Sequence, residues 1–146
     1  MIIKEVIPKL VSNSRKEKTI KITIITENGK FSSSAPSGKS KGKYESPDYN
    51  QRRILFSLRL LKDFIPEIKG KEFLLKKLED IKIIEDKLIR FEKEIGTLGA
   101  NFTYSLETAI WRAAAKENEQ ELWQFILGDK KIKIPIWEKR LKNKSS

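Results

Sequence analysis

Few residues in this chain have the types and spacing that chemistry requires. Its 146 residues include no histidine and no cysteine. That removes the commonest general base and metal ligand, the thiolate nucleophile and every disulfide. Gly38-Lys39-Ser40 matches the end of a phosphate-cradling loop. Such a loop needs a glycine five residues before Gly38, and that position is Ser33, so nucleotide binding is not expected. Glu85-Asp86 and Glu92 with Glu94 could be imagined as acid–base pairs. Set among lysines in a helical pattern, they read instead as a solvated face. The chemistry that remains is cationic.

The formal net charge is +11, and it is unevenly spread. Residues 1–53 carry +7, residues 54–129 carry −2, and residues 130–146 carry +6. A mixed-charge middle between two basic ends points to an anionic partner; the plainer reading is solubility. The N-terminal MIIKEVIPKL lacks the apolar stretch of a signal peptide, and no apolar run is long enough to span a bilayer. The expectation is a cytoplasmic protein that does not enter membranes.

The elements that must position these cations are legible in the periodicity. Ile2 to Val11 is rich in strand formers, with Pro8 marking an edge or a bulge. From Thr19 to Thr26, Ile20, Ile22 and Ile24 alternate with Lys21 and Thr23, which predicts a half-buried strand. Asn28-Gly29 is a hairpin signal, and Lys30 to Ala35 is the return strand. Residues 32–48 are rich in Ser, Gly, Lys and Pro and predict a long loop, ended by Pro47-Asp48. Beyond it the apolar spacing becomes helical. Ile54, Leu58, Leu61 and Ile65 form one stripe, widened by Phe56, Leu60 and Phe64, and Pro66 stops it. Leu74, Leu78, Ile81, Ile84, Leu88, Phe91 and Ile95 continue through one bent helix or two short ones, broken by Gly96 and Gly99. Phe102, Leu106, Ala109 or Ile110, and Ala113 form the apolar face of a further helix near 98–117. A short helix from Glu121 to Leu127 ends at Gly128. Trp111, Trp123 and Phe125 are expected in the core. The fold class is therefore α+β, a three-stranded antiparallel meander followed by a helical bundle over residues 1–128, with a basic tail over 129–146.

Four segments resemble one family in order. SNSRKEKTIKITIITENGKF resembles the opening D-S-R-G-N-P-T-V-E-V-E-V strand and hairpin of enolase. SAPSGKSKGKYES resembles the enolase loop V-P-S-G-A-S-T-G-x-x-E-A. LGANFTYSLETAIWRAAA resembles L-G-A-N-A-I-L-x-V-S-L-A-V-A-K-A-A-A, and ELWQFILGDKKIKIPIW resembles P-L-Y-x-Y-L-G-G and L-P-V-P-M-x-N. The likeness runs from Ile2 to Trp137 and is to the enolase N-terminal domain. It implies a meander followed by helices, in agreement with the periodicity. It also implies that residues 32–48 form a lid, in which Ser40, flanked by Gly38 and Gly42, holds a second Mg²⁺. In that family the base, the main metal carboxylates, the general acid and the phosphate-binding residues belong to a barrel domain. The sequence stops where that barrel would begin.

The departures from the family pattern are mostly cationic. Gly, Asn and Pro of the opening strand are Lys16, Glu17 and Lys18 here; Arg15 matches the family's dimer-contact arginine. Lys39 and Lys41 flank Ser40 in place of Ala and Thr, and the family's A-L-E-L-R-D stretch has become SPDYNQRR, with Arg52 and Arg53. The expected function is a non-catalytic enolase-like module, with no cofactor. It would bind RNA or a ribonucleoprotein such as the ribosome through Lys16, Lys18, Lys39, Lys41, Lys43, Arg52 and Arg53. The tail would add Lys130, Lys131, Lys133, Lys139, Arg140, Lys142 and Lys144. The alternative is one subunit of a split enolase, completed by a separate barrel chain, with Mg²⁺ at Ser40. Ile132, Ile134, Ile136 and Trp137 would either fold back on the domain or dock on a protein partner.

Overall fold

The computed structural model describes residues 1–12, 16, 18–35 and 51–128, with residues 51–53 by backbone alone. Strands β1 (Ile3–Ser12), β2 (Lys18–Thr26) and β3 (Gly29–Ser34) pair antiparallel in the order β1-β2-β3. Alternation decides the faces. Ile20, Ile22 and Ile24 of β2 turn inward and are 2%, 0% and 0% exposed, whereas Lys21 between them points to solvent. Pro8 lies opposite Ile22 on an edge strand, where a missing N–H costs no ladder bond. The only register shift between β1 and β2 falls between Ile3 and Glu5, so Pro8 marks the edge and not a bulge.

The β2–β3 hairpin forms, but Asn28-Gly29 does not supply both central turn residues. The turn is Glu27-Asn28, and Gly29 already pairs with Thr26. Neither Glu27 nor Asn28 has positive φ, whereas Gly29 has φ 129°. A turn that needs two left-handed residues is replaced by one in which Thr26 Oγ1 accepts the Asn28 N–H at 3.1 Å.

Helix α1 (Gln51–Phe64) is followed by a 3-10 turn, Ile65–Glu67, carrying Pro66. A second 3-10 turn, Leu78–Ile81, leads into α2 (Lys82–Glu94). Then come α3 (Ala100–Glu117) and α4 (Leu122–Leu127), which ends at Gly128 with φ 59°. Helix α3 lies across β2 and β3. Ala109, Ala113, Ala114 and Ala115 of α3 are all 3% exposed or less, and side chains that small let a helix approach its neighbours closely. Between the strands and the helices, residues 70–73 lie beside the start of β1. Gly70 N–H donates to Ile3 O at 2.7 Å and Phe73 N–H to Met1 O at 2.8 Å.

Four expected core residues are exposed. Phe56 is 57% exposed because the buried stripe of α1 runs through Ile54, Ser57, Leu60, Leu61 and Phe64; a serine occupies the inward position that hydropathy assigned to its neighbour. Leu74 is 74% exposed because residues 73–75 are not helical, and Phe73 and Leu75 on either side of it turn inward instead. Ile95 is 59% exposed, since α2 has already ended at Glu94. In the short α4 only Phe125 reaches the core, and Trp123 is 47% exposed. Residues 129–146 and the loop end at Pro47-Asp48 lie outside the described residues.

Candidate functional site

The helices cover one face of the sheet. The other face begins with Ile7, Lys9 and Val11 on β1 and Lys21, Thr23 and Ile25 on β2. Here Lys9 and Lys21 stand directly opposite each other, both exposed. Like charges opposed across an antiparallel pair are destabilising. Beside them Thr23 and Ser32 hydroxyls hydrogen bond at 2.8 Å. The acid of this face, Glu5, pairs with Lys69 at 2.8 Å.

The same end of the β1–β2 hairpin carries Lys18, the first residue of β2, opposite Ser12 and exposed. Lys16 precedes it, exposed, with φ 62°. A non-glycine residue held in the left-handed region costs of order 1–3 kcal/mol. The enolase pattern has glycine at this position, so the lysine is kept against the local backbone preference. Lys16 and Lys18 thus stand at the hairpin end, and Lys9 and Lys21 stand on the outer face three residue pairs further in, with Lys18 on the alternate face from Lys21.

Of the expected cations, Lys16 and Lys18 come together there. Arg52 and Arg53 fall in the first described turn of α1. Lys39, Ser40, Lys41, Lys43 and all the tail cations lie outside the described residues. Lys9 and Lys21 were not expected at the site. The alternation around Ile20, Ile22 and Ile24 puts Lys21 on the outer face, but only the register of β1 against β2 shows that Lys9 is its neighbour.

The carboxylates are arranged differently from the sequence reading. Asp86 and Glu94 are exposed as expected, but Glu85 is half-buried, and its partner is Glu107 of α3, not Asp86. Burial, then the Glu85 charge, then the hydrogen bond between the two side chains push Glu107 up to about 7. Glu92 Oε2 accepts the Leu98 N–H at 2.9 Å, which fastens the α2–α3 connection. Asp63, Glu67, Arg90, Phe91, Glu94 and Ile95 line a shallow cleft of about 280 Å³. Among the described residues no group of three or more carboxylates is placed to hold a metal ion, and no helix is long and apolar enough to cross a membrane.

A three-stranded meander with helices packed on one sheet face, among the described residues, defines an α+β domain. Residues 3–126 match the family model of the enolase N-terminal domain, and the chain belongs to that family. It is 27% identical over 150 residues to enolase B of Dictyostelium discoideum, covering 93% of this chain and 33% of that protein. It is 28% identical over 135 residues to the enolase of Methanothermobacter thermautotrophicus, with 92% and 32% covered, and 28% identical over 139 residues to the enolase of Mycoplasma mobile, with 86% and 30% covered. The chain spans about a third of the length of these relatives.

Proposed function

We propose that this enolase N-terminal domain acts by binding a polyanion, RNA alone or in a ribonucleoprotein, and performs no chemistry of its own. The observation that carries the reading is the β1–β2 hairpin, where Lys9 faces Lys21 and Lys16 occupies a left-handed position. Both features are unfavourable in the isolated domain, and both are relieved or used when phosphates approach. The absence of histidine and cysteine from the sequence and the basic stretches at 39–43, 52–53 and 130–144 support it further. Lysines read phosphate charge and not base edges, so affinity should vary little with sequence.

The test is binding of single-stranded RNA by fluorescence anisotropy over a salt series. Five phosphate contacts give a slope of log K against log salt of roughly −3.5 for a single strand and −4.5 for a duplex. Lys9→Ser with Lys21→Ser should flatten the slope and weaken all RNA sequences alike. Truncation after Ile136, or Lys39→Ala with Lys41→Thr, should do the same. Salt-independent binding, or two double-lysine variants and a truncation that all bind like the wild type, overturns the reading.

Family membership supports a second reading, in which the domain serves an enolase active site whose barrel is supplied by a separate chain, with Ser40 reaching a Mg²⁺ held there. Phosphoenolpyruvate formation on mixing with a barrel domain, abolished by Ser40→Ala, would favour it.

A further inference from the structure

The cleft lined by Asp63, Glu67, Arg90, Phe91, Glu94 and Ile95 lies between the end of α1, with its following 3-10 turn, and the end of α2. Its floor is apolar. Phe91 packs edge-on against Phe64 of α1, with ring centroids 5.4 Å apart. The two elements come close at Gly96, where a Cβ would stand 3.3 Å from Leu60 Cδ1. Phe56 lies one turn before Leu60 on α1, and Ile95 directly precedes Gly96. Both have core spacing in the sequence, yet they are 57% and 59% exposed. Two large apolar side chains left in water beside one cleft mark a surface that a partner covers.

The rim of the cleft is charged. Three carboxylates, Asp63, Glu67 and Glu94, against the one guanidinium of Arg90 give a net charge of −2. Among the described residues none of these four side chains makes an ion pair or a hydrogen bond. The volume of about 280 Å³ falls below the roughly 300 Å³ at which small-molecule pockets begin. The occupant that fits is a few side chains of a peptide, apolar and basic together.

The segment that follows α4 has that chemistry. Ile132, Ile134, Ile136 and Trp137 lead into Glu138, Lys139 and Arg140, and residues 130–146 carry +6. Ile136 and Trp137 suit the floor, Lys139 and Arg140 suit the three carboxylates, and Glu138 suits Arg90. The distance is also right. Helix α4 packs against the 3-10 turn Leu78–Ile81, which opens α2. From there to the cleft is the length of α2, 13 residues, or about 20 Å. Seven extended residues after Gly128 span about 23 Å and bring Ile136 to the cleft.

We propose that residues 132–140 fold back along α2 and seat Ile136 and Trp137 in this cleft, with Lys139 and Arg140 on its carboxylates. The occupant is this chain's own segment. A tethered segment acts at an effective concentration on the order of millimolar, so exposed ion pairs, each weak, suffice to hold it. The proposal does not rest on the polyanion reading.

The experiment uses the full chain, which has no cysteine, with a nitroxide attached at Asn143→Cys and the backbone amides followed by NMR. At low salt the amide signals of Glu67, Glu94 and Ile95 should be lost to paramagnetic broadening, whereas that of Thr23 on the outer sheet face should persist. Asp63→Lys with Glu94→Lys, both at exposed positions, should restore the cleft signals. Trp137→Ala, which leaves the cleft itself intact, should restore them too. Cleft signals that stay sharp in the labelled chain leave the cleft to a different protein and overturn the proposal, as does broadening that neither variant relieves. A mixture of nitroxide-bearing chains and isotope-labelled chains without nitroxide should show no broadening. Broadening in that mixture assigns the cleft to the segment of a second copy and overturns the fold-back.

Discussion

The two faces of the sheet are built to different rules. On the inner face, β2 offers three isoleucines to helices whose own residues there are alanine, leucine and phenylalanine, and 0–2% of each isoleucine is exposed. On the outer face, at the same sheet positions shifted by one residue, lysine opposes lysine and the nearest hydroxyls bond to each other. The inner face gains from every contact it makes; on the outer face Lys9 stands opposite Lys21, and Lys16 near the hairpin end is left-handed. A fold tolerates such features where its core supplies stability in excess, and they persist where something outside the domain makes use of them. Residues that stabilise and residues that bind should therefore separate cleanly by mutation.

The strongest test of that separation is in the core. Ile22→Ala, at 0% exposure on the central strand, should cost about 2–5 kcal/mol by denaturant unfolding. A loss under 1 kcal/mol would mean that the inner face is loosely packed and the contrast false. Next is Lys16→Gly. Releasing the left-handed strain at φ 62° should stabilise the domain by about 1 kcal/mol, while RNA binding weakens. Improved stability with unchanged binding would make Lys16 an ordinary surface residue. Smaller still, Lys9→Ser alone should stabilise the sheet by roughly 0.2–1 kcal/mol by removing the cross-strand repulsion, again with weaker binding. If it destabilises the sheet instead, the opposed pair is not repulsive in solution.

The smallest effect concerns acid. The exposed Glu27 carboxylate accepts the Ile2 N–H at 3.0 and 3.3 Å. That backbone hydrogen bond holds it below its ordinary 4.5, with the nearby N-terminal amine and Lys4 as minor contributors. Its contribution is present above 4.5 and is lost as pH falls, the opposite sign to Glu107. Glu27→Gln should flatten the acid limb of the stability profile slightly and leave the region above pH 5 untouched. A change confined to neutral pH would show that this bond does not exist in solution.

Periodicity and residue type, read from the sequence alone, determined much of this protein. Alternating isoleucines dictate a strand with one buried face, Pro66 and Gly96 follow helix ends, and Gly99 caps the start of α3, because these are local steric and hydrophobic rules. The family likeness was equally local, carried by short strings in order. Tertiary structure decided what depends on distance in sequence. Phe56 yielded its place to Ser57 because helix rotation is set by what packs against it, and Leu74 turned outward because residues 73–75 are not in a helix and Phe73 and Leu75 take the inward positions. Lys9 met Lys21 only through strand register across a loop. Glu85 acts on Glu107, 22 positions along the chain, only because the fold brings α2 and α3 near each other. A carboxylate's neighbours along one helix are fixed by spacing, but its neighbour on another helix is fixed by packing.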